Sequence, residues 1–179
     1  IDKMGYSVPK HEIIDGTTFL IVNEQKIPLQ IFGNHNLMNL NGARLVCNKI
    51  GILNTQFYEA IQSFEGAAKR LEVVFETNTS VFYKDFAHSP SKVAATTKAV
   101  KEQYPNRTLI ACLELHTYSS LNAEFLKEYQ GALDAADVAV VFYSPDAVKI
   151  KQLEEVTYDQ ISAAFKRNDL IIYTNPEEF

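Results

Sequence analysis

None of the seven glycines is followed by lysine, so the chain lacks the Gly-rich loop and Lys that cradle nucleotide phosphates. Cysteine is scarce. Cys47 and Cys112 both lie in apolar runs, Leu45-Val46-Cys47 and Ile110-Ala111-Cys112-Leu113, with no metal-ligand spacing between them. Two buried free thiols in a reducing cytoplasm are expected rather than a disulfide framework. There is no zinc motif, no serine nucleophile elbow and no paired-cysteine redox motif. No apolar run approaches the roughly 18 residues of a membrane span, and no signal peptide is recognised. A net charge of −5 argues against non-specific binding to nucleic acid. Residues 1–62 balance five basic against five acidic side chains, so residues 63–179 carry the whole excess and no cationic face is implied.

What is present is ordinary for a globular protein: 46% hydrophobic and 22% charged residues in a chain long enough for one domain or two small ones. The chain opens on Ile1-Asp2-Lys3 without an initiator Met and stops at Asn175-Pro176-Glu177-Glu178-Phe179, just after a strand-like run. It is read as a piece of a longer protein.

Residues 11–32 have the composition of short strands, with Thr17–Val22 and Ile27–Phe32 on either side of a turn at Asn23-Glu24-Gln25. Pro28 places the later strand at a sheet edge or at its own start. From Asn36 the period becomes helical through Leu37, Leu40, Cys47 and Ile50, with Gly51 as a helix stop. A second helix is predicted over about 55–64, with Phe57, Ile61 and Phe64 on one face; its last residues and the following Glu65-Gly66 mark a domain boundary, taken at 62/63. Beyond it strands (71–75, 80–83, 109–115, 138–143, 170–173) mix with helices (91–103, 123–135, 157–167). The later strands are apolar throughout, as in a parallel sheet covered on both faces. The fold class expected is α/β, with a small three-layer second domain built on a mainly parallel sheet.

Four constellations could carry chemistry. Gly33-Asn34-His35-Asn36-Leu37-Met38-Asn39 opens a helix, and His35, Asn36 and Asn39 can converge over its first turn. Capping by Asn34 or Asn36 with a packed His35 is the plainer reading. At the boundary, Phe64-Glu65-Gly66-Ala67-Ala68-Lys69-Arg70-Leu71-Glu72 offers Arg70 for a phosphate, or is a solvated hinge. Asp85-Phe86-Ala87-His88-Ser89-Pro90 puts a carboxylate and an imidazole where a strand gives way to a helix capped by Ser89 and started by Pro90. Ligands collect at such places in open α/β sheets, although a capped loop needs no ligand. The last is Leu113-Glu114-Leu115-His116-Thr117-Tyr118-Ser119-Ser120 at a strand end, beside the third stretch if the sheet is parallel. A Thr/Ser cap and a packed Tyr118 would also account for it.

The order of these motifs resembles the Mur ligases, ATP-dependent amide-forming enzymes of bacterial cell-wall synthesis. The resemblance runs over about residues 17–175: a Gly-x-His-Asn-x-x-Asn helix start, Phe-x-Gly-x-x-x-Arg-x-Glu, Asp-Phe-Ala-His-x-Pro, then a His-Thr-Tyr-Ser strand end. Within the family it points to ligases acting on UDP-N-acetylmuramate. Two branches compete, one adding L-alanine and a recycling branch adding the tripeptide L-alanyl-γ-D-glutamyl-meso-diaminopimelate. Asp85-Phe86-Ala87-His88 is more similar to the recycling branch. Thr117 and Ser120 stand where alanine-adding members have arginines.

The resemblance implies a cytoplasmic, bacterial, three-domain ligase using ATP and magnesium, of which residues 1–62 are the end of the central ATP-binding domain and 63–179 most of the Rossmann-like C-terminal domain. A phosphate loop and the magnesium ligands would lie mostly outside this chain. His35, Asn36 and Asn39 would line the adenine side, Arg70 would contact phosphate or ribose, and Asp85 would accept bonds from the ribose hydroxyls. His88 would work near the phosphates or the amine, with Arg70 its partner in catalysis, and His116 and Tyr118 would receive the amino substrate. The fragment alone would be inactive. Folylpolyglutamate synthetases, which share the architecture, and a non-catalytic α/β binding domain are the alternatives. No nucleic acid or membrane partner is expected.

Overall fold

The computed structural model describes residues 3–154 and 156–179. Its elements divide between two compact units, the residues up to 85 together with 102–104, and residues 86–101 together with 105–179.

The first unit begins with an antiparallel three-stranded meander, β1 (His11–Ile14), β2 (Thr17–Val22) and β3 (Gln25–Leu29), in the order β1-β2-β3. Both connections are two residues long, Asp15-Gly16 and Asn23-Glu24, and all four residues have positive φ (48°, 74°, 48° and 69°). Two successive left-handed residues are what a tight hairpin requires for its twist to match that of the strands. Pro28 lies on β3, an edge strand as expected, opposite Phe19. Helices α1 (Asn34–Lys49) and α2 (Asn54–Ile61) follow. Leu20, Leu29, Ile31, Leu37, Leu40 and Phe57 form the unit's core. Gly51 ends α1 as predicted: at φ 92° its N–H donates to Asn48 O, and the Ile52 N–H donates to Cys47 O. Helix α2 is shorter than predicted. It stops at Ile61, and Phe64 lies beyond it, exposed.

The strands β4 (Glu72–Glu76) and β5 (Val81–Lys84) form an antiparallel pair of their own rather than part of a parallel sheet. Their connection is too short for a crossover helix, so only a hairpin can join them. Tyr83 and Tyr104 share a hydroxyl hydrogen bond at 2.7 Å, and Phe32 meets both rings edge-on. Close by in sequence, the buried Gln103 accepts from Thr18 Oγ1 (2.8 Å) and donates to Gly16 O (2.6 Å).

The second unit is built on a parallel sheet, β6 (Ile110–Glu114), β7 (Val138–Phe142) and β8 (Ile171–Tyr173), in the order β6-β7-β8. Around it lie α3 (Pro90–Gln103, its last two residues grouped with the first unit), α4 (Ala123–Leu126), α5 (Pro145–Ile150) and α6 (Tyr158–Phe165). The central strand β7 is buried along four of its five residues. The edge strand β6 is not, and Cys112 on it is exposed while Cys47 is half-buried, which corrects the expectation of two buried thiols. The predicted helix over 123–135 breaks after one turn into a 3₁₀ segment, Lys127–Tyr129, and then turns about Gly131 at φ 77°. Helix α5 was not predicted, although Ser144-Pro145 repeats the start signal of Ser89-Pro90. Ser144 Oγ accepts from Ala147 N–H and Pro145 takes the first turn. Among the described residues no helix is long and apolar enough to cross a membrane.

Candidate functional site

In the first unit, α1 starts from Gly33, whose φ of 84° and ψ of 142° turn the chain out of the sheet. No side chain caps this end. Asn36 Nδ2 reaches back to the Phe32 carbonyl at 3.0 Å, so the expected amide cap is replaced by a bond to the segment between β3 and α1. Asn39 is exposed one turn later. His35 is half-buried, and its Nδ1 is shielded from solvent with no hydrogen-bond partner among the described residues. Native structures rarely leave such a group unmatched, because losing water without a replacement bond costs about 1–3 kcal/mol.

Burial is the largest influence on His35 and pushes its pKa below 6.5. The Asp85 carboxylate opposes the shift, and the Arg70 guanidinium adds to it. Asp85 and Arg70, each from a separate motif, therefore both lie within electrostatic reach of His35 inside one unit. The segment carrying Arg70 is held in an unusual shape. Gly66, Lys69 and Leu71 all have positive φ (100°, 58° and 47°), and a β-carbon at Gly66 would touch Ile31. Its exits are tied by carboxylates: Glu72 Oε2 accepts from Lys69 N–H and Asp85 Oδ2 from Leu71 N–H, both at 2.7 Å. Arg70 is exposed, as the hinge reading also required.

In the second unit, α3 starts at Pro90 as predicted, and the Ser89 carbonyl accepts from Lys92 and Val93. The His88 and His116 rings come to 6.2 Å between centroids, so the two strand-end motifs do meet. His88 Nδ1 donates to Phe86 O (2.9 Å) and His116 Nδ1 to Glu114 O (3.3 Å). A carbonyl can only accept, so each neutral ring keeps its proton on Nδ1 and offers Nε2 as a base. Thr117 and Ser120 close on each other, with Ser120 Oγ accepting from Thr117 N–H at 2.9 Å and Thr117 Oγ1 from Ser120 N–H at 3.0 Å. Tyr118 is not packed, as the plainer reading had it. It is 64% exposed, with Lys151 Nζ 4.4 Å from its ring centroid.

Tyr129 escaped the reading of the sequence. Fully buried against Phe165, its hydroxyl donates to the His88 carbonyl, and burial pushes its pKa up to about 12. No periodicity points to it. Lys151 also escaped, and recognising the Ser144-Pro145 start of α5 would have placed it at a helix end.

Comparison with known proteins shows the family of the chain. The chain is 32% identical over 175 residues to a UDP-N-acetylmuramate–L-alanine ligase of Microcystis aeruginosa, covering 94% of this chain and 34% of that protein. It thus spans about a third of the length of the curated relatives it matches. Among solved structures it resembles a UDP-N-acetylmuramate-alanine ligase of Thermotoga maritima, with a TM-score of 0.72 at 18% identity over 98% of this chain and 38% of that one. A murein peptide ligase of Psychrobacter arcticus follows, with a TM-score of 0.55 at 18% identity over 94% of this chain and 36% of that one. Likeness at this identity speaks for the α/β fold. The family model described as Mur ligase, glutamate ligase domain, matches residues 69–178, and the chain belongs to that family.

Proposed function

We propose that this chain is part of an ATP-dependent ligase that joins the carboxylate of UDP-N-acetylmuramate to the amine of the murein tripeptide, in peptidoglycan synthesis or recycling in the bacterial cytoplasm. Residues 1–62 are then the end of the central ATP-binding domain and 63–179 most of the C-terminal domain. The observation that carries the reading is the gathering of His35, Arg70 and Asp85 in one unit of a Mur ligase chain. Each comes from a motif that the family resemblance assigns to nucleotide.

In such a reaction the sugar carboxylate accepts the γ-phosphoryl group of ATP, and the amine displaces phosphate from the acyl phosphate to form the amide. Crowded anions need cations and fixed donors, so most of the rate comes from electrostatics and positioning. His35, Asn36 and Asn39 bind the adenine side. Asp85, whose carboxylate can accept several bonds, takes the ribose hydroxyls while holding Leu71 N–H. Arg70 stands by the phosphates. His88, with Nε2 as its base, takes the proton that the attacking ammonium must lose, and His116 and Tyr118 receive the amino substrate. Among the described residues no group of three or more His, Cys, Asp or Glu side chains can hold a metal ion, so no magnesium ligand is assigned within them.

The acceptor has a second reading. The Thr117–Ser120 pair, bonded to each other where arginines would stand, supports a peptide, whereas the curated relatives are named for L-alanine. A phosphate-release assay of the full-length enzyme with UDP-N-acetylmuramate, ATP and either acceptor tests both. Faster release with tripeptide is expected. Preference for L-alanine replaces the acceptor, and release with neither overturns the ligase reading.

A further inference from the structure

The loops that follow β6 and β7 bring Tyr118 and Lys151 together, with Lys151 Nζ 4.4 Å from the phenol ring centroid. Both loops leave the carboxyl ends of neighbouring parallel strands, the side on which open α/β sheets bind ligands. Tyr118 sits two residues after His116, whose ring neighbours His88. An ammonium on an aromatic face is thus placed on the same edge as two imidazoles.

The backbone under Lys151 is unusually constrained. Lys151 is the residue that closes α5, just past Ile150, its N–H donating to Ala147 O. Gln152 follows at φ 54° and donates to Lys149 O, and Leu153 N–H donates to Val148 O. This is the same helix ending as at Gly51, built without glycine, and a side chain in that left-handed conformation is strained against its own backbone. Val148 is 2% exposed and Leu153 packs on the core, so the turn is anchored from beneath. The neighbouring Lys149 has Asp146 at 3.8 Å, whereas no carboxylate among the described residues pairs with Lys151. Charge at a helix end alone would not require the ring contact, and an exposed cation–π pair is too weak to justify the strain.

We infer that Lys151, steadied by the Tyr118 ring, binds a carboxylate of the incoming amino substrate and helps to determine which acceptor is used. The inference rests on the ligase reading above. Its chemistry is that of an ammonium meeting a carboxylate, in a loop whose Thr117 and Ser120 side chains bring no charge.

The test uses full-length enzyme, phosphate release, and two forms of the acceptor, one with a free C-terminal carboxylate and one amidated there. Lys151→Gln is expected to raise KM for the free-acid acceptor about tenfold, the scale of one charge-assisted bond, and to leave KM for ATP unchanged. Lys151→Arg should recover most of the loss. With the amidated acceptor, unsubstituted and Lys151→Gln enzymes should have equal KM. An unchanged KM for the free acid in an active, folded Lys151→Gln enzyme overturns the inference alone, as does an equal loss with both acceptor forms. No phosphate release by the unsubstituted enzyme overturns the ligase reading and the inference together.

Discussion

The Asp85 carboxylate accepts the Leu71 N–H at 2.7 Å, joining the residue just after β5 to the residue just before β4. Leu71 is buried and sits at φ 47°, where a branched side chain meets its own backbone. One carboxylate thus holds a strained turn whose neighbour is Arg70, and contributes to the charge around His35. Asp85 is structural and, in the proposed reaction, a nucleotide ligand.

The two roles separate by substitution. In full-length enzyme, Asp85→Ala should raise KM for ATP about tenfold and lower stability by about 1–3 kcal/mol, because the Leu71 N–H loses its acceptor. Asp85→Asn keeps an amide oxygen for Leu71 and should recover stability, leaving the nucleotide defect partly in place. Thermal unfolding and ATP saturation curves measure the two separately. An unchanged KM in both variants would remove Asp85 from the nucleotide site.

His35 predicts a pH dependence of folding. Its pKa in the folded chain lies below 6.5, chiefly through burial, so the unfolded chain takes up the proton first as pH falls. Stability should therefore decrease with falling pH, starting near 6.5 and ending below the folded pKa. His35→Gln should flatten that part of the profile. Urea unfolding of both proteins between pH 8 and about 5 gives the comparison, and parallel profiles would contradict it.

Tyr129→Phe keeps the ring stacked on Phe165 and removes only the hydroxyl that donates to the His88 carbonyl. With a pKa near 12 the hydroxyl is a donor throughout the working range. Loss of about 1–3 kcal/mol in denaturant unfolding is expected, together with a shift of the His88 ring resonances. Unaltered stability and resonances would show that the carbonyl does not depend on Tyr129.

Periodicity and turn chemistry determined the elements whose signals are local. The helical spacing from Leu37 to Ile50 with Gly51 behind it, the Ser89-Pro90 start, and the apolar β7 all correspond to observed structure, because each follows from a few adjacent residues. The order of four motifs was likewise legible, and the family match follows it. Tertiary structure decided the rest. Only packing left Cys112 on an exposed edge and shortened the helix after Asn122. Only packing could gather His35, Arg70 and Asp85, or bring Lys151 over Tyr118, since residues 15–50 apart share no local pattern. Sequence offers the candidate side chains, while their meeting depends on long-range contacts between segments far apart in the chain, which only the tertiary structure sets.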